Sequence, residues 1–289
     1  TPKNVIYTAY FAGCAKLTAR AAEVLGRAEE AAMYHALFER IKAAFNAAYV
    51  GEDGRIRGNT QTCYVLALAF DLLDGRARDL AARYLVEDIA GRDWHLSTGF
   101  IGTKDLMLVL AKIGRNDVAY RLLHNDTFPS WGFSIRHGAT SIWERWDGWT
   151  PEKGFQDPGM NSFAHYSFGA VYQWMAENIG GIRNDGPGYA KIVIAPQPGG
   201  KLEWARTSYD SIRGPIATSW RLEGGRFLLD VTIPANTTAT CRHALAASAG
   251  PSSASVVVPS VIRNRSAPVP GFAGVRSITL PAPSPIDQA

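Results

Sequence analysis

The sequence is poor in cysteine, and its three cysteines, Cys14, Cys63 and Cys241, are far apart and odd in number. No Cys-x-x-Cys pair occurs, which excludes a zinc ribbon or a dithiol redox motif on spacing. Three free thiols are the favoured interpretation, and a single disulfide is the alternative. The six histidines lack a ligand spacing such as His-x-x-x-His, so we expect no metal. No P-loop occurs and no Gly-x-Gly-x-x-Gly follows a strand, so we expect no cofactor.

Long hydrophobic runs and clusters of charge are also missing. No segment reaches the roughly 18 apolar residues that indicate a transmembrane helix, so no membrane partner is expected. Thirty Lys and Arg against 26 Asp and Glu give a net charge of +4, but the excess is scattered. Without a basic cluster and interleaved aromatic residues, nucleic acid is not an expected partner. The N-terminus shows no charged-then-apolar signal region, and cytoplasmic, periplasmic and secreted locations all stay open.

What remains is an ordinary globular composition of 289 residues, of which 46% are hydrophobic and 19% are charged. This length suits one large domain or two smaller ones. Up to about residue 125, apolar residues recur at helical spacing, as Leu37, Ile41 and Phe45 do within 28–49. The pattern predicts seven helices, at 10–25, 28–49, 60–73, 77–90, 103–113, 116–124 and 162–178.

After Gly180-Gly181 the hydrophobic period changes from 3.6 to 2, which is typical of strands. Several short strands separated by Gly- and Pro-rich turns indicate an antiparallel β-sandwich. Residues 246–255 are predicted to form a loop, and residues 281–289 a frayed tail. We therefore expect a domain of paired helices at 1–181 and a sandwich domain at 182–289. The predicted strands lie at 190–195, 202–209, 216–222, 227–233, 239–244 and 278–280.

Residues 126–161 interrupt the helical pattern with a long segment rich in Gly, Pro and Trp. A loop of this length in a compact domain is usually functional or disordered, and its aromatic content favours function. It places Glu144 between Trp143 and Trp146, beside Arg145. Tryptophan rings suit the apolar face of a pyranose, while a carboxylate takes a proton from a hydroxyl or a water. A carbohydrate site is indicated; the alternatives are tryptophans that fill the core and a structural ion pair of Glu144 with Arg145 or another arginine.

The motif GATSIWERWDG at 138–148, followed by MNSFAHYSFG at 160–169, resembles glycoside hydrolase family 78, the α-L-rhamnosidases. The resemblance covers about residues 5–245. It implies the second half of an (α/α)6 barrel of helical hairpins, followed by an antiparallel β-sandwich. It also implies hydrolysis of terminal α-L-rhamnosyl residues with inversion, on a rhamnosylated glycoside or polysaccharide. Further segments match the family in the expected order, namely TAYFAGCAK, GNTQTCYVLALAFDLL, HLSTGFIGT, PSWGF and GGIRNDGPGYAKIVIAPQP.

The resemblance also implies roles for individual residues. Inverting glycosidases carry two carboxyl groups about 6.5–9.5 Å apart, one as general acid and one as general base for a water. The family's base maps onto Glu144, and its sugar-contacting histidine maps onto His165. A histidine satisfied by backbone groups is the alternative for His165, and a cap on the following helix is the alternative for Asn59. The residues expected to bind the sugar are His165, Trp143, Trp146, Trp131, Arg145, Asn59 and Phe100.

The sequence departs from the family pattern in ways that bear on the mechanism. Ala164 stands where the family carries Asn, which removes one polar contact near the sugar. The family's upstream acid motif, Arg-x-Glu-Arg-x-Gly-Trp, does not occur in this chain. About seven helices are also too few for a barrel of twelve. Four carboxylates are candidates for a substitute acid, with a solvated surface as the alternative for those in the loop: Asp105, Asp147, Glu152 and Asp157.

We therefore expect a chain that carries the general base without the general acid, and the missing N-terminal half of the barrel as its partner. Open helix faces would then expose apolar surface, which normally marks an interface. Two alternatives stay open. One is an (α/α)6 hydrolase that acts on another sugar. The other is a carbohydrate-binding or structural fragment without turnover.

Overall fold

A computed structural model describes residues 1–159, 161–223 and 226–242, and the strand backbone at 261–263 and 275–281. The chain divides into two compact units, Thr1–Val171 and Tyr172–Ala289. The first unit is mainly helical, and the second is mainly β. Across the described residues, no helix is both long and apolar enough to cross a membrane.

Three helical hairpins build the first unit. α1 (Lys3–Val24) packs against α2 (Ala28–Tyr49), α3 (Gln61–Ala69) against α4 (Gly75–Gly91), and α5 (Phe100–Lys112) against α6 (Asn116–His124). α3 also contacts α1 on one side and α5 on the other, so the first helices of the hairpins form one layer. This arrangement confirms the predicted fold of helical hairpins.

The middle helix α3 is the most buried element of this layer. Every residue from Gln61 to Leu68 is buried, as the unbroken apolar stretch of its sequence suggests. A buried amide must find hydrogen-bond partners. The Gln61 side chain finds three, which are the Asp88 carboxylate, the His95 carbonyl and the Ser97 N–H.

α1 presents two faces of different character. One face is buried against α2 and α3 and consists of small residues, among them Ala9, Ala12 and Ala19. The other face carries exposed apolar side chains at helical spacing, which are Tyr7, Phe11, Leu17, Val24 and Leu25. The expected open helix face is therefore present on α1. Contiguous apolar surface of this kind marks an interaction site.

Two predictions for the helical unit were wrong. Residues 131–136, within the predicted loop, form α7 (Trp131–Arg136), because the Ser130 hydroxyl caps it by accepting from the Phe133 N–H. The same loop contains a hairpin of β1 (Trp149–Thr150) and β2 (Gly154–Phe155). The predicted helix at 162–178 is irregular up to Tyr166, since Ser162 and His165 donate their backbone N–H groups to the loop. It continues as a 3₁₀ turn, Ser167–Ala170, then α8 (Val171–Trp174) and a π-helical segment, Met175–Ile179.

The second unit contains two four-stranded sheets. The antiparallel sheet has the order β10-β7-β6-β5, and the other has the order β3-β4-β8-β9. In the second sheet β4 and β8 are parallel, so this sheet is mixed where antiparallel pairing was predicted. A parallel pair requires a crossover connection, which β5, β6 and β7 provide here. The strands are β3 (Ile182–Asn184), β4 (Lys191–Ile194), β5 (Trp204–Ser211), β6 (Gly214–Glu223), β7 (Arg226–Thr232), β8 (Thr238–Cys241), β9 (Val261–Arg263) and β10 (Val275–Pro281).

All six predicted strands are present with shifted ends, whereas β3 and β9 were not predicted. The predicted loop at 246–255 and the tail after residue 281 lie outside the described residues. One face of the antiparallel sheet packs against the π-helical segment. On that face the Trp220 indole donates to the Ile179 carbonyl at 2.7 Å, and the Thr218 hydroxyl donates to the Gly180 carbonyl at 2.7 Å.

Leu85 on α4 is fully buried, so the burial of this side chain contributes directly to the helical unit. We expect Leu85→Ala to lower the free energy of unfolding by about 2–5 kcal/mol, through lost apolar burial and the cavity that remains. Leu17→Ala on the exposed face of α1 is the matched control and should change it by less than about 0.5 kcal/mol. Urea denaturation followed by circular dichroism measures both. Equal losses in the two variants would contradict the described packing.

Candidate active site

Two tryptophans anchor the long loop near the start of α5. The Trp146 indole donates to the Thr98 carbonyl at 2.8 Å, and the Trp131 indole donates to the Phe168 carbonyl at 2.9 Å. The two indoles meet edge to face, with ring centroids 5.2 Å apart. Trp146 also stacks flat on Phe168, with centroids 3.8 Å apart. The loop and the segment around residue 168 therefore form one aromatic cluster.

Two hydrogen bonds with Ser162 hold Glu144 in place. The Glu144 N–H donates to the Ser162 carbonyl at 2.8 Å, and the Ser162 N–H donates to Glu144 Oε2 at 2.8 Å. Three residues further on, the His165 N–H donates to the Ile142 carbonyl at 2.8 Å. These bonds hold the Glu144 carboxylate in one orientation, half-buried, at the edge of the aromatic cluster.

Arg145 pairs with Asp147 rather than with Glu144. Its Nε and Nη2 donate to the two oxygens of Asp147 at 2.9 and 3.0 Å, in the bidentate geometry that suits a guanidinium and a carboxylate. Hydrogen bonds from Arg145 lower the pKa of Asp147 below its ordinary value. Within the described part of the chain, Glu144 forms no ion pair. The structural alternative of a pair between Glu144 and Arg145 therefore does not hold.

Glu144 opens onto a cleft of about 390 Å³. This volume is in the range of small-molecule sites, about 300–1,000 Å³. Aromatic walls beside a carboxylate can hold the apolar face of a sugar while the carboxylate handles a proton. The lining combines apolar and charged side chains, namely Phe100, Phe128, Pro129, Trp146 and Phe168 with Glu144, Arg145 and Asp147.

His165 lies beside this cleft because its ring stacks on Phe100, with centroids 4.6 Å apart and planes 12° from parallel. Its Nδ1 accepts a hydrogen bond from the Ser167 N–H at 3.3 Å. A neutral imidazole that accepts at Nδ1 carries its proton on Nε2. His165 therefore offers Nε2–H as a donor, and a sugar hydroxyl is a suitable acceptor.

Trp131 and Trp143 are more deeply buried than Trp146 and line a second cavity of about 320 Å³. This cavity is largely apolar, and Trp146 and Phe168 also line it. The stacked pair of Trp146 and Phe168 therefore separates the two cavities. Trp143 meets Phe163 edge to face at 5.4 Å, which is a packing contact within the loop.

The structure does not bring Asn59 into the lining of either cavity. Asn59 has a positive φ of 43°, and its Oδ1 accepts from the Tyr64 hydroxyl. The neighbouring Thr60, not Asn59, caps α3 by accepting from the Cys63 N–H. The structure thus groups Glu144, Arg145, Trp146, Phe100 and His165, and leaves Asn59 outside.

Among the possible substitute acids, only Asp147 lines the cleft, and it is tied to Arg145. Glu152 and Asp157 are exposed, while Asp105 is buried on α5 and accepts from Lys104 at 3.0 Å. In the described residues no group of three His, Cys, Asp or Glu side chains is suited to hold a metal ion. Cys14, Cys63 and Cys241 are all unpaired.

Sequence reasoning did not single out four residues of the cleft, which are Ser97, Phe128, Pro129 and Phe168. Pro129 and Phe168 belong to motifs that were recognised, PSWGF and MNSFAHYSFG, but apolar residues in a motif give no separate signal for a site. Phe128 immediately precedes the first of these motifs. Its exposure, 47%, is visible only in the folded structure.

Helical hairpins that carry an aromatic cleft with a fixed carboxylate are a combination that suits the glycoside hydrolase class. Residues 1–179 match the family model of the bacterial alpha-L-rhamnosidase six-hairpin glycosidase domain, and residues 181–246 match that of the bacterial alpha-L-rhamnosidase C-terminal domain. The chain therefore belongs to the bacterial α-L-rhamnosidase family.

Individual relatives agree with this family. An α-L-rhamnosidase of Streptomyces avermitilis is 52% identical over 239 residues, which are 83% of this chain and 23% of that protein. One of Formosa agariphila is 45% identical over 241 residues, 83% of this chain and 26% of that protein. The chain thus spans about a quarter of the length of these curated relatives.

Solved structures give the same result. The crystal structure of the Streptomyces avermitilis α-L-rhamnosidase complexed with L-rhamnose matches with a TM-score of 0.81 and 51% identity, over 83% of this chain and 23% of that one. The native enzyme of Aspergillus terreus matches with a TM-score of 0.84 and 32% identity, over 97% of this chain and 31% of that one.

The ion pair between Arg145 and Asp147 is expected to make the stability of the fold depend on pH. Because the pKa of Asp147 is lowered in the folded state, the pair stabilises the fold above about pH 3.9, the pKa of an unfolded aspartate, and this contribution is lost as pH falls through the lowered pKa. Arg145→Gln should raise the pKa of Asp147 toward its ordinary value, as measured by carboxyl ¹³C NMR titration.

Arg115 and Asp117 form a pair with the same bidentate geometry and the same spacing, in which the pKa of Asp117 is also lowered. Arg115→Gln is therefore the matched control and should raise the pKa of Asp117 alone. An unchanged pKa of Asp147 in Arg145→Gln would show that Arg145 is not the cause of its shift.

Proposed function

We propose that this chain is part of an α-L-rhamnosidase in which Glu144 acts as the general base of an inverting hydrolysis. The observation that carries this proposal is the state of Glu144. Its carboxylate is fixed by the Ser162 N–H, is not paired with Arg145, and faces an aromatic cleft. A general base must keep its charge and its orientation until it takes the proton of the attacking water.

The surrounding residues have separate roles in this proposal. Phe100 and Trp146 hold the apolar face of the sugar, and the Nε2–H of His165 donates to a sugar hydroxyl. Asp147 accepts two hydrogen bonds from the Arg145 guanidinium, so Arg145 forms its ion pair with Asp147 and not with the base. Trp131 and Trp143 support the loop from the apolar side.

The general acid comes from outside the described residues in this proposal. Asp147 is a poor candidate, since its pKa is lowered, whereas a general acid must hold its proton near the working pH. The exposed apolar face of α1 supports a partner that completes the barrel. The finding that this chain spans about a quarter of the relatives' length supports the same partner.

The two domains of this proposal are a helical catalytic part at 1–181 and a β domain at 182–289. The matched family models, which end at residue 179 and begin at residue 181, support this boundary. The relative from Streptomyces avermitilis that was solved with L-rhamnose supports a rhamnosylated glycoside or polysaccharide as substrate. Hydrolysis of another sugar, or binding without turnover, remain the competing functions and are distinguished by the following experiment.

A chimera tests the role of Glu144 in a complete enzyme. This chain replaces the matching segment of the Streptomyces avermitilis enzyme, and release of p-nitrophenol from p-nitrophenyl α-L-rhamnoside is measured. Glu144→Gln should lower kcat by about 10²–10⁴-fold, because the general base is lost while the shape is kept. Glu152→Gln, at an exposed carboxylate of the same loop, should leave kcat unchanged.

The 289-residue chain by itself, without the rest of the Streptomyces avermitilis enzyme, should show no turnover of the same substrate. Turnover by this chain alone would place the general acid within it and overturn that part of the proposal. A folded chimera that binds rhamnose without turnover would favour the binding function instead. Full activity in Glu144→Gln would remove Glu144 from the role of base.

The stereochemistry of the product tests the inverting mechanism. With a water between the base and the sugar, the first product released from an α-L-rhamnoside should be β-L-rhamnose. ¹H NMR of the anomeric proton, recorded in the chimera reaction before mutarotation, measures this directly. α-L-Rhamnose as the first product would indicate a retaining mechanism with a covalent intermediate.

A further inference from the structure

The outer face of the antiparallel sheet carries an ordered set of side chains that the proposed reaction does not use. Along β6, Ile216, Thr218 and Trp220 are buried, and the residues between them point to the other face. The strand register aligns these outward residues with their neighbours on β5 and β7. Three rows result: Trp204, Arg221 and Leu228; Arg206, Ser219 and Asp230; Ser208, Ala217 and Thr232.

The centre of this face is a shallow depression of about 250 Å³. Its floor is made of small side chains, since β6 contributes Ala217 and Ser219 there and β5 contributes Ser208. Arg206 and Asp230 stand on either side of Ser219, on strands that each lie about 4.8 Å from β6. A gap of roughly 10 Å between the flanking strands is wide enough for one sugar ring.

Trp204 gives this face its apolar platform. It is 63% exposed, although a tryptophan side chain is usually buried for the most part. The Arg206 guanidinium lies 6.0 Å from the centre of its ring and on the same face of the sheet. An exposed indole next to hydrogen-bonding groups is a combination that suits a ligand with one apolar face and several hydroxyls.

The charges on this face favour a neutral ligand. Arg221 is paired with Glu223 at 3.0 Å and lies 3.8 Å from Asp230. The positive groups, Arg206 and Arg221, are thus matched by negative ones. Among the described side chains of this face, no excess of one sign is available to attract a phosphate, a polyanion or a basic peptide.

We propose that the outer face of β5, β6 and β7 is a second, non-catalytic carbohydrate-binding surface for a neutral glycan chain. A pyranose ring stacks on Trp204, the next sugar lies over Ser219 and Ala217, and Arg206 and Asp230 bind its hydroxyls. The surface belongs to the β unit and uses none of the residues of the Glu144 cleft. The expectation that its glycan contains rhamnose rests on the proposed function.

Affinity electrophoresis of the 289-residue chain, in native gels that contain a neutral rhamnan or a galactomannan, tests this surface. At least one of these polysaccharides should retard the chain. Trp204→Ala should weaken the apparent affinity about tenfold, because the stacking platform is lost, and Trp204→Phe should stay within about threefold. Ser219→Leu fills the floor of the depression and should also weaken retardation while Trp204 is intact.

Two control variants test whether retardation depends on this surface. Tyr209 is an exposed aromatic residue on the opposite face of β5, so Tyr209→Ala should not change retardation. Glu144→Gln should also retain it, so a failure of the proposed reaction does not affect this test. Unchanged retardation in Trp204→Ala, loss of retardation in Glu144→Gln, or no retardation by either polysaccharide would overturn the proposal.

Discussion

The exchange of hydrogen bonds between Glu144 and Ser162 is the constraint on which the site depends. It joins two segments that are 18 residues apart, and the bond from His165 to Ile142 extends the same pairing. Without these bonds the loop after α7 has no regular structure to hold it, since β1 and β2 are only two residues long. Backbone groups position Glu144, since its N–H donates to the Ser162 carbonyl. The Ser162 N–H donates in turn to the Glu144 carboxylate and strengthens the same connection. The geometry of the loop therefore also determines the orientation of the Glu144 carboxylate.

The charges next to Glu144 follow from the same local geometry. Arg145 and Asp147 are two residues apart and close a bidentate pair with each other, so the guanidinium pairs with Asp147 and not with Glu144. The pair lies in the cleft but is neutral as a whole. The Ser162 N–H donates a hydrogen bond to the Glu144 carboxylate. A paired arginine adds less net charge to the surroundings of a neighbouring carboxylate than an unpaired one.

The sequence was a good guide where the hydrophobic period is long. The bounds of α2 and α6 were predicted without error, and the six β-strands followed from alternation and turns. Prediction failed where backbone N–H groups donate to a distant part of the chain instead of forming the hydrogen bonds of a helix. Ser162 and His165 lie in a stretch with helical spacing, but they donate to the loop and delay the helix. The parallel pairing of β4 with β8 depends on a crossover that no local pattern records. Glu144, His165, Trp146 and Phe100 were expected from motifs, whereas Phe128 and Phe168 were recognised as part of the cleft only in the fold.

The tryptophans differ in exposure, and this difference separates them by role. Trp174 and Trp220 are fully buried, and their indoles serve the packing of the β unit. Trp131 and Trp143 are each 8% exposed and support the loop, while Trp146 presents part of its ring to the cleft. Trp204 is largely exposed on a strand face, where no packing within the described residues explains its size. A sugar can use only a ring face that the protein leaves open, and Trp146 and Trp204 are the two tryptophans to which we assign a sugar. These positions belong to different compact units, so the proposed cleavage and the proposed adhesion to a glycan should be separable by mutation.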